Sequence, residues 1–254
     1  MICDLSGKKG LIIGIANDQS IAYGCAKSMA DQGAALAVTY LNEKTKSFIE
    51  PLMDRVNCEI FEPCNVQKDE ELKAVFDHIR RKWGKLDFIL HSIAYAPKED
   101  LHGRVTDCSL DGFLTAMDIS CHSFIRMAKL AEPLMVDGGA MLCVSFLGSE
   151  RVVNHYNMMG PVKAALESTV RYLAVDLGEK GIRVNAISPG AIATRAASGI
   201  NHFDQLLDKA ASAPMHRLVT SDDCGAMAAF MVSDETKAIT GTIIPIDAGQ
   251  RIMA

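Results

Sequence analysis

Two side chains in the second half of the chain have the types and spacing for proton chemistry. They are Tyr156 and Lys163, seven residues apart. On a helix that interval is nearly two turns, so the spacing predicts that both project from one face. A phenol of ordinary pKa near ~10 exchanges protons poorly at neutral pH. An ammonium two turns away would favour the ionised form. The same lysine can hydrogen-bond a ribose hydroxyl. The plainer alternative is a Tyr and a Lys that merely share a helix face.

A second candidate lies near the start, in Gly14-Ile15-Ala16-Asn17-Asp18-Gln19-Ser20-Ile21-Ala22-Tyr23-Gly24. This is not G-x-G-x-x-G, yet it can serve a pyrophosphate. Gly14 permits a tight turn, and Ser20 is placed to cap a helix whose free N–H groups attract an anion. Gly24 would let that helix lie close to a sheet. A glycine turn and a serine cap also open many helices that bind nothing. Farther on, Leu41 and Asn42 stand where a dinucleotide fold often has an acidic residue for the adenosine ribose. Glu43 could serve there, or be a solvated charge in a first helical turn. Lys44 and Lys46 leave NADPH open beside NADH.

These residues need a scaffold, and short apolar runs alternating with helix-period segments supply one. Strands are expected at Lys8–Gly14, Ala34–Tyr40, Glu59–Cys64, Leu86–His91, Ala140–Ser145, Arg183–Ser188 and Thr242–Ile246. Between them helices are expected at Ser20–Gln32, Glu43–Val56, Ser109–Met135 and Tyr156–Leu177, with shorter ones near Phe203–Ala211 and Asp222–Val232. The clearest helical period is Leu72, Val75, Phe76, Ile79 and Trp83. Strands apolar on both faces and separated by helices indicate a parallel sheet covered on both sides. The expected fold is therefore α/β: one Rossmann-like doubly wound domain over 1–254, of about seven parallel strands. In such sheets ligands sit beyond the carboxyl ends of the strands.

Composition bounds the rest. The chain has 254 residues, 49% hydrophobic and 22% charged, which suits a globular protein with a sizeable core. A net charge of −5 argues against nucleic acid or an anionic membrane surface as partner. No apolar run approaches the ~18 residues of a membrane span. The eight cysteines form no C-x-x-C pair and no zinc spacing with histidine. They read as buried small hydrophobes of a reducing cytoplasm, and no metal is expected.

Taken together the motifs resemble a short-chain dehydrogenase/reductase, and in particular the enoyl-[acyl-carrier-protein] reductases of bacterial type II fatty-acid synthesis. The resemblance runs the length of the chain. It is carried by Gly14-x5-Ser20-Ile21-Ala22-Tyr23-Gly24, His91-Ser92-Ile93-Ala94 and Asp118-Ile119-Ser120, then by Tyr156-Asn157-x-Met159-Gly160-x-x-Lys163. Arg183-Val184-Asn185-Ala186-Ile187-Ser188 and Ala196-Ala197-Ser198-Gly199-Ile200 complete it. The six-residue gap between Tyr156 and Lys163 is wider than the three-residue gap usual in the superfamily, and is the wide spacing of the enoyl reductases.

The resemblance implies NAD as cofactor, NADH favoured and NADPH open. It implies an acyl carrier protein bearing an enoyl chain as partner, a cytoplasmic location and a homotetramer packed through the two long helices. Gly14, Ser20 and Ile21 would hold the pyrophosphate side. Asn65 and Val66 would flank the adenine, with Leu41 nearby. Ile93 would pack by the nicotinamide ribose, whose hydroxyls Lys163 would bond. Ile192, Ala193, Thr194 and Ala196 would reach the carboxamide and begin a substrate lid over 192–212. Ala96 and Tyr156 would meet the substrate.

Three positions depart from the family pattern. Phe146 stands where a second tyrosine is usual, so one hydroxyl is lost while shape survives. Leu41 replaces a frequent polar residue, which restricts any contact there to backbone or apolar groups. Ala94 replaces a common glycine and adds a methyl beside the substrate. The activity implied is hydride transfer from NAD(P)H to the double bond of a trans-2-enoyl thioester. Phe146 and Ala94 keep open a related reductase acting on a ketone or another enoyl compound. A non-catalytic dinucleotide-binding module is the other alternative.

Overall fold

A computed structural model of the chain describes residues 3–194 and 197–253. Seven strands form one parallel sheet in the order β3-β2-β1-β4-β5-β6-β7. They are β1 (Lys9–Ile13), β2 (Ala35–Tyr40), β3 (Cys58–Pro63), β4 (Phe88–His91), β5 (Gly139–Val144), β6 (Ile182–Pro189) and β7 (Ile243–Ile246). The chain begins mid-sheet, winds outward to β3, then returns to place β4 on the other side of β1. The strand order reverses between β1 and β4, and the crevice above that point is where such sheets take ligands.

The central strands are buried along their length: every residue of β2 and of β6 is buried. Helices cover both faces, as continuous apolar strands require. One face carries α3 (Asp69–Trp83), α6 (Ser123–Ala131) and α7 (Met159–Gly178). The other carries α1 (Ile21–Asp31) and α9 (Ser221–Val232). Leu72, Val75, Phe76 and Ile79 form the buried stripe of α3, as their spacing predicts. Pro245 sits in β7, an edge strand, where a missing N–H costs no ladder bond. Shorter helices α2 (Glu43–Ile49), α4 (Lys98–His102), α5 (Leu110–Met117) and α8 (Phe203–Ala211) decorate this frame.

Several expectations are corrected. The helix over Glu43–Val56 stops at Ile49 and continues as a tighter 3₁₀ turn through Pro51, whose ring cannot continue an α-helix ladder. The segment Ser109–Met135 is helical but broken by a π-turn at Asp118–His122 between α5 and α6. Gly24 does not bring α1 down on the sheet. A Cβ there would lie 2.4 Å from the Ser221 carbonyl oxygen, so its absence lets α1 cross α9 closely. Ser20 does not cap α1 through its side chain. All eight cysteines are free thiols; Cys58 and Cys108 are only partly buried, the other six fully.

Among the described residues no helix is long and apolar enough to cross a membrane. No group of three His, Cys, Asp or Glu there could hold a metal ion.

Candidate active site

The carboxyl ends of β1, β4, β5 and β6 converge on one cavity of about 400 Å³, within the ~300–1,000 Å³ range of ligand pockets. Gly14 comes from the end of β1 and Ser92 to Ala96 from the end of β4. Val144, Ser145 and Phe146 come from β5, and Pro189 to Ile192 with Thr194 from β6. Tyr156, Met159 and Lys163 close one side, and Leu101, Ile200 and Phe203 the mouth.

The β1 end can accept a dinucleotide phosphate. Gly14 has φ +117°, and a Cβ on it would meet the Ser92 carbonyl oxygen at 2.1 Å, so only glycine lets the two strand exits touch. The Ser20 hydroxyl turns back into the loop. It accepts from the Ala16 and Asn17 amides, both at 3.0 Å, and donates to Asn17 Oδ1 at 3.1 Å. Ser20 thus shapes the turn, and the first N–H groups of α1 at Ile21 and Ala22 keep no partner among the described residues. An anion fits such an end.

Tyr156 is not on a helix. It lies in a turn before α7, between His155 at φ +65° and Asn157 at φ +45°. The helix-face argument for Tyr156 and Lys163 therefore fails, although both still line the cavity. The Asn157 side chain anchors the turn by donating to the Leu101 carbonyl at 2.7 Å. The Tyr156 ring is 8% exposed and packs on Phe146 at 4.7 Å between centroids. Burial first, and the Glu167 carboxylate second, push its phenol above the ordinary range. This reverses the expected effect of the lysine: the phenol stays protonated at neutral pH and is a hydrogen-bond donor.

Lys163 is 4% exposed, and its Nζ donates to the Val144 carbonyl at 2.7 Å. Burial lowers its pKa, against the opposing pull of Cys143, Cys121 and Glu167. An ammonium has three donors, so two remain for the cavity.

His91, at the end of β4, is fully buried and structural. Its Nε2 pairs with Ser123 Oγ at 2.8 Å, and that hydroxyl donates to the Ile119 carbonyl at 2.7 Å. Ser123 therefore accepts, which makes His91 a neutral Nε2–H tautomer with an unpartnered Nδ1. Burial first, then the charge of Lys163, push its pKa down to about 3 from 6.5. Between those values the unfolded chain binds a proton that the folded chain does not. Stability should then fall on acidification from pH 6.5 towards 3, by about 1 kcal/mol per pH unit. Urea titrations of His91→Gln against the parent at several pH values check this: the variant should lose less over that window, and parallel curves would refute it.

The other sequence-predicted residues divide. Ile21, Ile93, Ala96, Ile192 and Thr194 are on the cavity wall with Gly14, Ser20, Tyr156 and Lys163. Leu41 is 56% exposed at the end of β2 and, like Ala193, is not on that wall. Asn65 and Val66 follow β3, off the wall; Glu71 accepts from the Asn65 amide at 2.7 Å, and Val66 is buried. Ala196 lies outside the described residues. The sequence did not single out Ser145, Gly190, Ala191 or Leu101, while Ile200 and Phe203 fall within the expected lid over 192–212. Ser145 was legible as a polar residue at a strand exit.

The chain has known relatives along its length. A family model described as "Enoyl-(Acyl carrier protein) reductase" matches residues 14–251. The chain is 46% identical over 249 residues to the Rhizobium meliloti (strain 1021) "Enoyl-[acyl-carrier-protein] reductase [NADH] 2", covering 98% of this chain and 93% of that protein. Among solved structures, the Anaplasma phagocytophilum reductase in complex with NAD superposes with a TM-score of 0.94 at 45% identity, over 98% of this chain and 96% of that one. The Bacillus cereus reductase, solved with NADP+ and indole naphthyridinone, gives 0.96 at 41% identity over the whole of both chains.

Proposed function

The chain belongs to the enoyl-(acyl carrier protein) reductase family, and on that premise we propose that the cavity at the β1–β4 switch point is its reaction site. The enzyme is a reductase of fatty-acid elongation acting on acyl carrier protein substrates, with NADH the favoured donor. The residues of this cavity would hold NADH, which would supply a hydride for the β-carbon of a trans-2-enoyl thioester. The observation that carries the site assignment is the meeting of Gly14, Ile93, Tyr156 and Lys163 on one wall.

Each residue has a part. The N–H groups at the start of α1, with Gly14 and the Ser20-shaped turn, hold the pyrophosphate. Lys163 turns its spare donors to the nicotinamide ribose. As negative charge builds on the thioester oxygen, Tyr156 donates a hydrogen bond to it, and the raised pKa keeps the proton on the phenol. Phe146, Met159, Ile200 and Phe203 present apolar surface that excludes water and receives the acyl chain.

In this reading the lid comprises residues 192–194 and the chain from Ala197 through α8. Leu206 and Ala210 of α8 pack on Ala191, and the His102 ring bonds the Gly199 carbonyl at 2.7 Å, so this segment roofs the cavity mouth. Assembly as a homotetramer is supported by apolar side chains left exposed on α5 and α7: Leu110 and Leu114 on the first, Tyr172 and Val175 on the second. A cytoplasmic location accords with the eight free thiols.

The decisive assay offers the purified protein a trans-2-enoyl thioester with NADH or NADPH, and separately a β-ketoacyl thioester. Enoyl-dependent oxidation, faster with NADH, is expected. Turnover of the ketone in preference to the enoyl compound would overturn the reading. Light scattering of the same preparation should give the mass of four chains.

A further inference from the structure

Because Tyr156 precedes α7, no helical ladder fixes its backbone; its ring packs among residues of α5 and α7 and on the segment that leaves β5. A Cβ on Gly148 would lie 2.4 Å from Tyr156 Cδ1, so bare backbone lies against one part of the ring. Phe146, two residues earlier, packs on it at 4.7 Å between centroids. The five residues from Ser145 to Ser149 are thus the seat of the phenol.

Both ends of that seat are tied to one atom. Glu167, one turn beyond Lys163 on α7, is 5% exposed. Its Oε1 pairs with the Ser145 hydroxyl at 2.5 Å and with the Ser149 hydroxyl at 2.5 Å, the latter also 2.9 Å from the Phe146 carbonyl of the same segment. Ser145 is further fixed to the sheet by its amide, which donates to the Ile187 carbonyl at 2.8 Å. Among the described residues no cation forms a salt bridge with Glu167; the neighbouring Lys163 turns to the Val144 carbonyl instead. A buried carboxylate without a cation is costly. Its two hydroxyl partners, at the two ends of the segment under Tyr156, are what it holds.

We infer that Glu167 is a positioning residue: through Ser145 and Ser149 it clamps the Ser145–Ser149 seat, and so sets where the Tyr156 hydroxyl stands in the cavity. The same carboxylate also helps keep the phenol protonated. The inference rests on the role given to Tyr156 above, and it adds a residue that does not touch substrate or cofactor.

Glu167→Gln keeps the volume and removes the charge; Ser149→Ala cuts one arm and leaves the carboxylate. In the intact protein both should lower kcat for the enoyl thioester by about tenfold, the order expected for a displaced catalytic group. KM for NADH should stay within about twofold of the parent, since the cofactor contacts of Lys163 and α1 are untouched. A purely structural role would not produce the second readout, ¹⁹F NMR of fluorotyrosine-labelled protein. There the Tyr156 resonance, assigned with Tyr156→Phe, should shift or split while the other tyrosines hold still. An unmoved Tyr156 resonance in both variants overturns the inference, as does an unchanged kcat. If Glu167→Gln does not fold, Ser149→Ala decides alone by the same two readouts. If the parent turns over no enoyl thioester, the function has failed instead, and the resonance by itself judges Glu167.

Discussion

Replacing Tyr156 with Phe should lower kcat for an enoyl thioester by about 10²–10³-fold while the Kd for NADH stays within about twofold. The loss corresponds to about 3–4 kcal/mol of transition-state stabilisation, the usual worth of one preorganised donor to a developing oxyanion. The phenylalanine should cost the fold little. The Tyr156 hydroxyl makes no hydrogen bond among the described residues, so its removal leaves no orphaned partner, and the ring keeps its packing on Phe146 and Gly148. Stopped-flow rates with equilibrium NADH titration make the check. A parallel loss of NADH affinity would place Tyr156 in cofactor binding, and an unchanged kcat would remove it from the chemistry.

The pH profile should carry the same signature. With its pKa raised by burial and by Glu167, Tyr156 remains a donor through the neutral range. The rate should therefore be flat there with respect to this group and decline only in strong alkali. The Phe variant should lack that decline.

Much of the scaffold was legible because its physics is local. A strand buried on both faces tends to read as a near-continuous apolar run, as Ala35–Tyr40 does, whereas the equally buried Ile182–Pro189 carries Arg183, Asn185 and Ser188. The stripe of α3 is visible because one helix face meets one sheet face. Placing the strands showed which end of the sheet to search, and the turn after β1 gave Gly14 and Ser20, while Ile93, Ala96, Ile192 and Thr194 came from the resemblance. The resemblance to the enoyl reductases carried the chemistry itself, which no single spacing established.

The features that stayed hidden depend on groups distant in sequence. Tyr156 and Lys163 look like a helix pair by interval, but the helix begins at Met159. Asn-His-Tyr-Asn was a clue, because Asn and His are among the residues that tolerate positive φ, and His155 and Asn157 adopt it. The tyrosine therefore reaches the cavity from a turn, and its ring packs on the segment after β5 as well as on α5 and α7. Gly24 looked like a helix–sheet contact, yet its partner is Ser221, nearly two hundred residues away. The sign of the electrostatics was hidden for the same reason. Lys163 is nearer to Tyr156 in sequence, but burial and a carboxylate one turn farther along α7 prevail.

Lys163→Met should produce the complementary defect to Tyr156→Phe: the Kd for NADH should rise roughly 10–100-fold, matching the ~1.5–3 kcal/mol of a hydrogen bond from a charged donor. Methionine retains the length of the stem and its packing in the core while deleting the ammonium. The Val144 carbonyl loses its 2.7 Å partner, but the protein also sheds the desolvation of a buried cation, and the two effects oppose. Thermal stability should consequently change far less than cofactor affinity. In the parent, binding needs the protonated amine, and burial has lowered its pKa below the ordinary lysine value. NADH affinity should thus weaken as pH climbs towards that lowered value, and the methionine variant should show no such dependence. Calorimetric titrations of both proteins across that range make the measurement. Equal affinities for NADH in parent and variant would mean that the Lys163 donors serve only the β5 carbonyl, and the cofactor would have to be held by the β1 turn and the start of α1 alone.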